Sequence, residues 1–188
     1  MDFITKTDCT VNLDKVRNEL DELLKINPWP EPRFDTGAPG DQIGITHRNG
    51  AEDIWNDAMG SLYDPETKKF LAEEKDFCNY NPYLGEYTKQ AINILAEKEG
   101  TSFGRIRFMK AKSKRGLSIH KDLEPRYHLV IETNPGALFG EYHGTEGVAA
   151  KCYHLPADGH FYKVDTTRDH FIYNGGWEDR IHLVICKA

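Results

Sequence analysis

The stretch LSIHKDLEPRYHLVIE, residues 117–132, decides how the rest of the chain is read. It contains two short β-type runs, LSIHKD and RYHLVIE. Others of the same texture surround it: RIRFMK before, and GVAAKCYH, HFYKVD, HFIYN and RIHLVI after. Asn134-Pro135-Gly136, Ala157-Asp158-Gly159 and Asn174-Gly175-Gly176 supply turns between them. Short strands at such spacing predict an all-β sandwich or barrel, with a jelly roll the first choice.

Upstream of Gly100 the texture is helical. Val16, Leu20, Leu23 and Leu24 form one apolar stripe, stopped by the prolines of NPWPEP. Leu84, Tyr87, Ala91, Ile94 and Leu95 form a second, over Tyr83 to Glu99, with Gly100 as the stop. Between them, DTGAPGDQIGITHRNG offers one short strand near Ile43 to His47 among turn residues. The expectation is one mainly β domain. Residues 1–100 are a helical support region with one or two strands, and residues 101–188 are the jelly-roll core.

Bulk properties exclude several classes. A chain of 188 residues can bury a sizeable core. Its net charge of −6 opposes non-specific binding to nucleic acid. The basic stretch KAKSKRG (Lys110 to Gly116) reads as a solvated loop. No apolar run is long enough for a membrane span, and MDFITKTDCT lacks the pattern of a signal peptide. A cytoplasmic protein is expected. Cys9, Cys78, Cys152 and Cys186 are scattered, which suits reduced thiols.

The chemistry lies in the polar residues of the β half. Strand side chains two apart share a face, so His120 and Asp122 can offer an imidazole and a carboxylate to one point. His170 is the best candidate for a third ligand. Two histidines and a carboxylate form the ligand set of non-haem Fe(II) oxygenases. Arg180, flanked by apolar positions of the closing run, needs an anionic partner if buried. On spacing alone, a bidentate ligand carboxylate and a salt bridge to Glu178 or Asp179 are equally good partners. His182 reads as a core histidine, Asn174 as a turn residue, and Trp29, Trp55 and Trp177 as packing groups.

Taken together, the motifs H-x-D, RYHLVI, HFIYN and DRIHLVI closely resemble the aspartyl/asparaginyl β-hydroxylase-like family of 2-oxoglutarate oxygenases, over roughly Phe103 to Cys186. GRIRFMK looks like the strand that precedes that family's H-x-D, and DGHFYKVDT like the one before its distal histidine. The resemblance implies a double-stranded β-helix of cupin-like form. It implies Fe(II) on His120, Asp122 and His170, and 2-oxoglutarate on Arg180 with His128 beside it. Some members have glycine where Asp122 stands, so on that point this chain looks more like the free-proline hydroxylase branch. Arg126 matches an arginine near the co-substrate or substrate.

Arg107, with Arg105 on the same face of its strand, adds further positive charge. Surplus arginines in a closed pocket need a substrate carboxylate or an internal acid. An anionic or zwitterionic substrate follows as an expectation: an amino acid, or an Asp, Asn or Pro side chain in a protein, with O2 as the second reactant. Two rival readings remain, a zinc or manganese cupin-like enzyme and a non-catalytic jelly-roll module binding an acidic ligand.

Overall fold

The structure is a computed structural model that describes every residue except 1, 31–40, 65 and 146–147. The last two residues of NPWPEP and all of DTGAPG therefore lie outside the described residues. The chain divides into two compact units, Met1–Leu13 with Lys110–Leu183, and Asp14–Met109 with Val184–Ala188. The division falls inside the strands Phe103–Ala111 and Arg180–Lys187.

In chain order the strands are β1 (Ile4–Thr10), β2 (Gln42–Gly44), β3 (Thr46–His47), β4 (Tyr63–Asp64), β5 (Lys69–Phe70), β6 (Asn79–Tyr80) and β7 (Phe103–Ala111). They continue as β8 (Arg115–His120), β9 (Arg126–Glu132), β10 (Ala137–Thr145), β11 (Val148–Tyr153), β12 (His160–Val164), β13 (His170–Asn174) and β14 (Arg180–Lys187). Among the described residues the α-helices are α1 (Leu13–Ile26) and α2 (Glu86–Glu99), with a single 3-10 turn at Glu74–Asp76. None is long and apolar enough to cross a membrane.

The first unit is the jelly roll. Its strands fall in two orders, β1-β12-β9-β14 and β11-β10-β13-β8. The chain switches sheet from β8 to β9, from β9 to β10, from β11 to β12 and at each step to β14, which is the double-stranded winding expected. Val130, Tyr162 and Val164 from one sheet pack with Phe139 from the other, closed by Phe3 and Leu155. Apolar residues on the inner faces of both sheets bury each other, and this holds the sandwich together.

Two of its strands are absent from the sequence expectation. β1 (ITKTDCT) pairs antiparallel with β12, although only Thr7 and Cys9 are buried. A polar edge strand of this kind carries almost no hydrophobic alternation. β10 pairs with both β11 and β13. Gly140 and Glu141 interrupt its apolar pattern; a Cβ on Gly140 would strike the Phe171 ring.

In the second unit, α1 buries Val16, Leu20 and Leu23 as their spacing requires. α2 buries Thr88, Ala91, Ile92 and Leu95, whereas Ile94 is exposed. Ala91 and Leu95 lie on the buried face as expected, and the face is turned slightly so that Thr88 and Ile92 are buried with them. Gly85 begins α2 without a side-chain cap. Glu19 of α1 does that work instead, accepting hydrogen bonds from Tyr87 N at 2.9 Å and Thr88 N at 2.8 Å. Gly100 ends α2 at φ 59°, the left-handed conformation that glycine adopts without penalty. β2 pairs with β7.

Candidate metal centre

His120 closes β8 and His170 opens β13, and the two are direct cross-strand partners. A bulge in that pairing separates them from the Leu117–Ile172 pair. Their rings lie 4.2 Å apart between centroids. Asp122 follows β8, where its backbone N–H donates to Thr166 O at 2.8 Å. One ligand atom from each of His120, Asp122 and His170 lies within 4.8 Å of the others.

The hydrogen bonds prepare these side chains as ligands. His120 Nδ1 faces Ser118 O at 2.7 Å, and His170 Nδ1 faces Arg168 O at 2.9 Å. A carbonyl only accepts, so in the neutral ring each Nδ1 carries the proton and Nε2 is the free nitrogen that a metal would take. Burial, helped by the neighbouring His120, lowers the pKa of His170 and favours its neutral form; its bond to Arg168 and the nearby Asp122 oppose this. Asp122 is gripped on one side only. Its Oδ1 pairs with Arg126 Nη2 at 2.6 Å. Its Oδ2 is buried, accepts no hydrogen bond, and lies 3.7 Å from His170 Nε2. A lone pair facing a bare carboxylate oxygen is repulsive unless a cation lies between them. The donor set and this orphaned oxygen fit iron.

Arg180 opens β14 and is buried. Among the described residues no carboxylate lies within ion-pair distance of it. Asp179 turns away, accepting from Ser113 N at 3.2 Å and lying 3.8 Å from Lys110 Nζ. The guanidinium instead donates from Nη2 to His182 Nδ1 at 2.8 Å and lies over the Phe139 ring at 5.2 Å. Burial pushes its pKa down to about 9. His182 is held well below the ordinary histidine range by burial first and then by the charge of Arg180. It is therefore a neutral acceptor. His128 is also buried, with its Nδ1 3.5 Å from that of His182.

The remaining expected residues fall elsewhere. Arg126 is half-buried with Asp122 as its partner. Arg107 is buried in the second unit, where it donates to Gln42 Oε1 at 3.1 Å. Arg105 donates to Ala58 O at 2.7 Å. Internal acceptors therefore meet each of these arginines, although the buried Arg107 Nε has no hydrogen-bond partner among the described residues. Asn174 is more than a turn residue: it is buried and donates to both Ala111 O and Glu178 O. Trp177 is 86% exposed, so it is not a packing group.

Sequence reasoning missed Phe139. From β10 its ring sits 6.4 Å from that of His170, 5.0 Å from that of His128 and 6.4 Å from that of His182. It is the apolar wall between the histidine–carboxylate group and the buried arginine. The alternation of Ala137, Phe139 and Glu141 was the only available signal.

Two facing sheets with two histidines and a carboxylate converging between β8 and β13 define a jelly-roll protein with a candidate metal centre. The profile of the aspartyl/asparaginyl β-hydroxylase family matches residues 10–186, and the chain belongs to that family. It is an enzyme, a hydroxylase of the Fe(II)- and 2-oxoglutarate-dependent class, as its motifs implied. The match begins well before Phe103, so the helical region is part of the family pattern and not an unrelated support.

Among solved structures, a prolyl-4-hydroxylase from Pseudomonas putida is similar, with 12% identity, a TM-score of 0.56, and coverage of 98% of this chain and 91% of that one. HygX from Streptomyces hygroscopicus, solved with nickel and 2-oxoglutarate, gives 10%, 0.53, 97% and 81%. AviO1 from Streptomyces viridochromogenes gives 12%, 0.50, 100% and 90%. At these identities the likeness is one of fold. No match was found among the curated proteins.

Proposed function

We propose that this chain hydroxylates an unactivated C–H bond of an amino acid, or of an Asp, Asn or Pro side chain in a polypeptide. In this reading His120, Asp122 and His170 hold Fe(II), and Arg180 holds the distal carboxylate of 2-oxoglutarate. The iron, with O2 and 2-oxoglutarate, supplies the oxidising power, and the co-substrate leaves as succinate and carbon dioxide. Everything else is the work of the protein.

The single observation that carries the reading is the buried Arg180 guanidinium with no carboxylate partner among the described residues. A buried charge left unpaired is costly, and a dicarboxylate ligand removes that cost. His182 accepts from one Nη2–H, which fixes the plane of the guanidinium. Phe139 beneath it excludes water and strengthens each charge–charge contact. In this reading His128, whose Nδ1 lies 3.5 Å from that of His182, contacts the same ligand. Arg126 keeps Asp122 Oδ1 occupied, leaving Oδ2 for the metal.

A zinc or manganese cupin-like enzyme would leave Arg180 without a role, and so would a binding module that held its ligand elsewhere. The family name supports a substrate bearing a carboxylate or amide group. A turnover screen of free amino acids and of Asp-, Asn- and Pro-containing peptides tests the proposal. Succinate release coupled to a mass gain of one oxygen is the expected result. Succinate release that no amino acid or peptide stimulates would overturn it.

A further inference from the structure

The basic stretch KAKSKRG has no part in the site described above, yet it leads directly into it. β8 is the last strand in the order β11-β10-β13-β8, and among the described residues it pairs only with β13. Arg115 through Ile119 are all exposed. From Lys110 to Lys121 the sequence KAKSKRGLSIHK holds five cationic side chains and no acid, in a chain whose net charge is −6. Lysines at an open sheet edge are a common guard against unwanted pairing.

A guard does not account for the apolar groups at the same place. Leu117, Ile119 and Leu123 are 46%, 49% and 71% exposed. Tyr173, the cross-strand partner of Gly116, is exposed as well. Trp177 lies open beneath the Lys114 ammonium at 4.1 Å. Leu117, paired with Ile172, and Tyr173, paired with Gly116, lie on opposite faces of the sheet, so these exposed apolar groups flank the open β8 edge from both sides. That edge ends at His120 and Asp122.

We propose that the β8 edge docks the substrate, an acidic segment of a polypeptide that adds to the sheet as an extended strand. The inference rests on the oxygenase reading above and narrows its substrate to a polypeptide. Backbone pairing supplies affinity, Arg115 selects acidic side chains with Lys114, held on Gly175 O, beside it, and Leu117 and Ile119 contact apolar ones; Lys121 is already paired with Asp169 at 3.3 Å. A strand seated along β8 carries one of its side chains past the His120–Asp122–His170 group. Single-stranded nucleic acid is the weaker occupant. It could use the cations and Trp177, but it has no amide backbone to pair with a strand edge.

The test uses the full chain without iron or co-substrate. The probe is a pool of short, blocked, fluorescein-labelled peptides alternating Glu with Val, Ile or Thr around one Asn or Asp, read by anisotropy. Saturable binding is expected, with at least about a tenfold loss in Arg115→Glu/Leu117→Ser. The same pool with alternate backbone amides methylated blocks one hydrogen-bonding edge and is expected not to bind, whether or not that variant folds. Absence of binding, equal binding by the methylated pool, or displacement of the peptides by oligothymidylate at equal concentration would each overturn the proposal. Because binding is read without iron or 2-oxoglutarate, failure here leaves the oxygenase reading standing. Loss of 2-oxoglutarate binding alone would remove that reading and leave the docking result intact.

Discussion

A guanidinium that faces Phe139 and His182 with no carboxylate in reach is stable only if something else neutralises it. Among the described residues Arg180 is in that position, and burial pushes its pKa down to about 9. Arg180→Lys keeps the charge but loses the planar fork. A charge-assisted hydrogen bond contributes about 1.5–3 kcal/mol, so 2-oxoglutarate affinity is expected to fall roughly ten- to a hundredfold by calorimetry. Unchanged affinity in a folded variant would make Arg180 structural. His182 acts one step further back. His182→Leu removes the acceptor that orients Arg180, raising the KM for 2-oxoglutarate with kcat retained. His182→Asn restores an acceptor and recovers part of the loss. A fall in kcat alone, with KM unchanged, would speak against this positioning role.

At the scale of elements, β10 shows what the sequence conceals. Phe139 and Glu141 share its inner face, and Glu141 is the cross-strand partner of His170. Glu141 accepts from Arg168 Nη1 at 2.7 Å, and Arg168 also donates to Asp165 while its carbonyl holds His170. Burial raises the pKa of Glu141, but the bonds from Arg168 and Tyr153 outweigh it and set the net shift downward. A depressed folded-state pKa contributes stability that is full above the unfolded value and is lost as pH falls through the folded one. The thermal midpoint of the native chain should therefore fall more steeply on acidification below about pH 4.3 than that of Glu141→Gln. Parallel acid profiles would contradict this. In α1, Leu23→Ala should cost about 2–5 kcal/mol in denaturant unfolding, because Leu23 is 1% exposed. A loss below about 1 kcal/mol would mean that its pocket collapses around the smaller side chain.

The same elements explain what could be read in advance. β7, β9, β12 and β14 are legible because their buried Ile, Leu, Val and Phe positions sit between clear turns, and β13 because its aromatic and β-branched residues do, although its buried positions are His170 and Asn174. β1 and β10 are not, since an edge strand of Thr, Lys and Asp and a strand broken by Gly140-Glu141 carry little periodic signal. His120, Asp122 and His170 follow from residue type and two-residue alternation. The partners of Arg105 and Arg107 do not, because hydrogen bonds to the distant Ala58 O and Gln42 leave no local pattern; Asp122, four residues before Arg126, reads in the sequence only as a metal ligand.

For the whole molecule, one family pattern runs from residue 10 to 186 and thus takes in the helices as well as the jelly roll. The candidate ligands and the Arg180 cluster lie in the unit formed by Met1–Leu13 and Lys110–Leu183. The central claim is that this one unit holds both iron and 2-oxoglutarate. Anaerobic addition of Fe(II) and 2-oxoglutarate, followed by visible absorption, tests it most directly. A weak charge-transfer band is predicted in the native chain, strongly reduced in Asp122→Ala and absent in His170→Ala. No band in the native chain, with no thermal stabilisation by 2-oxoglutarate, would contradict the account.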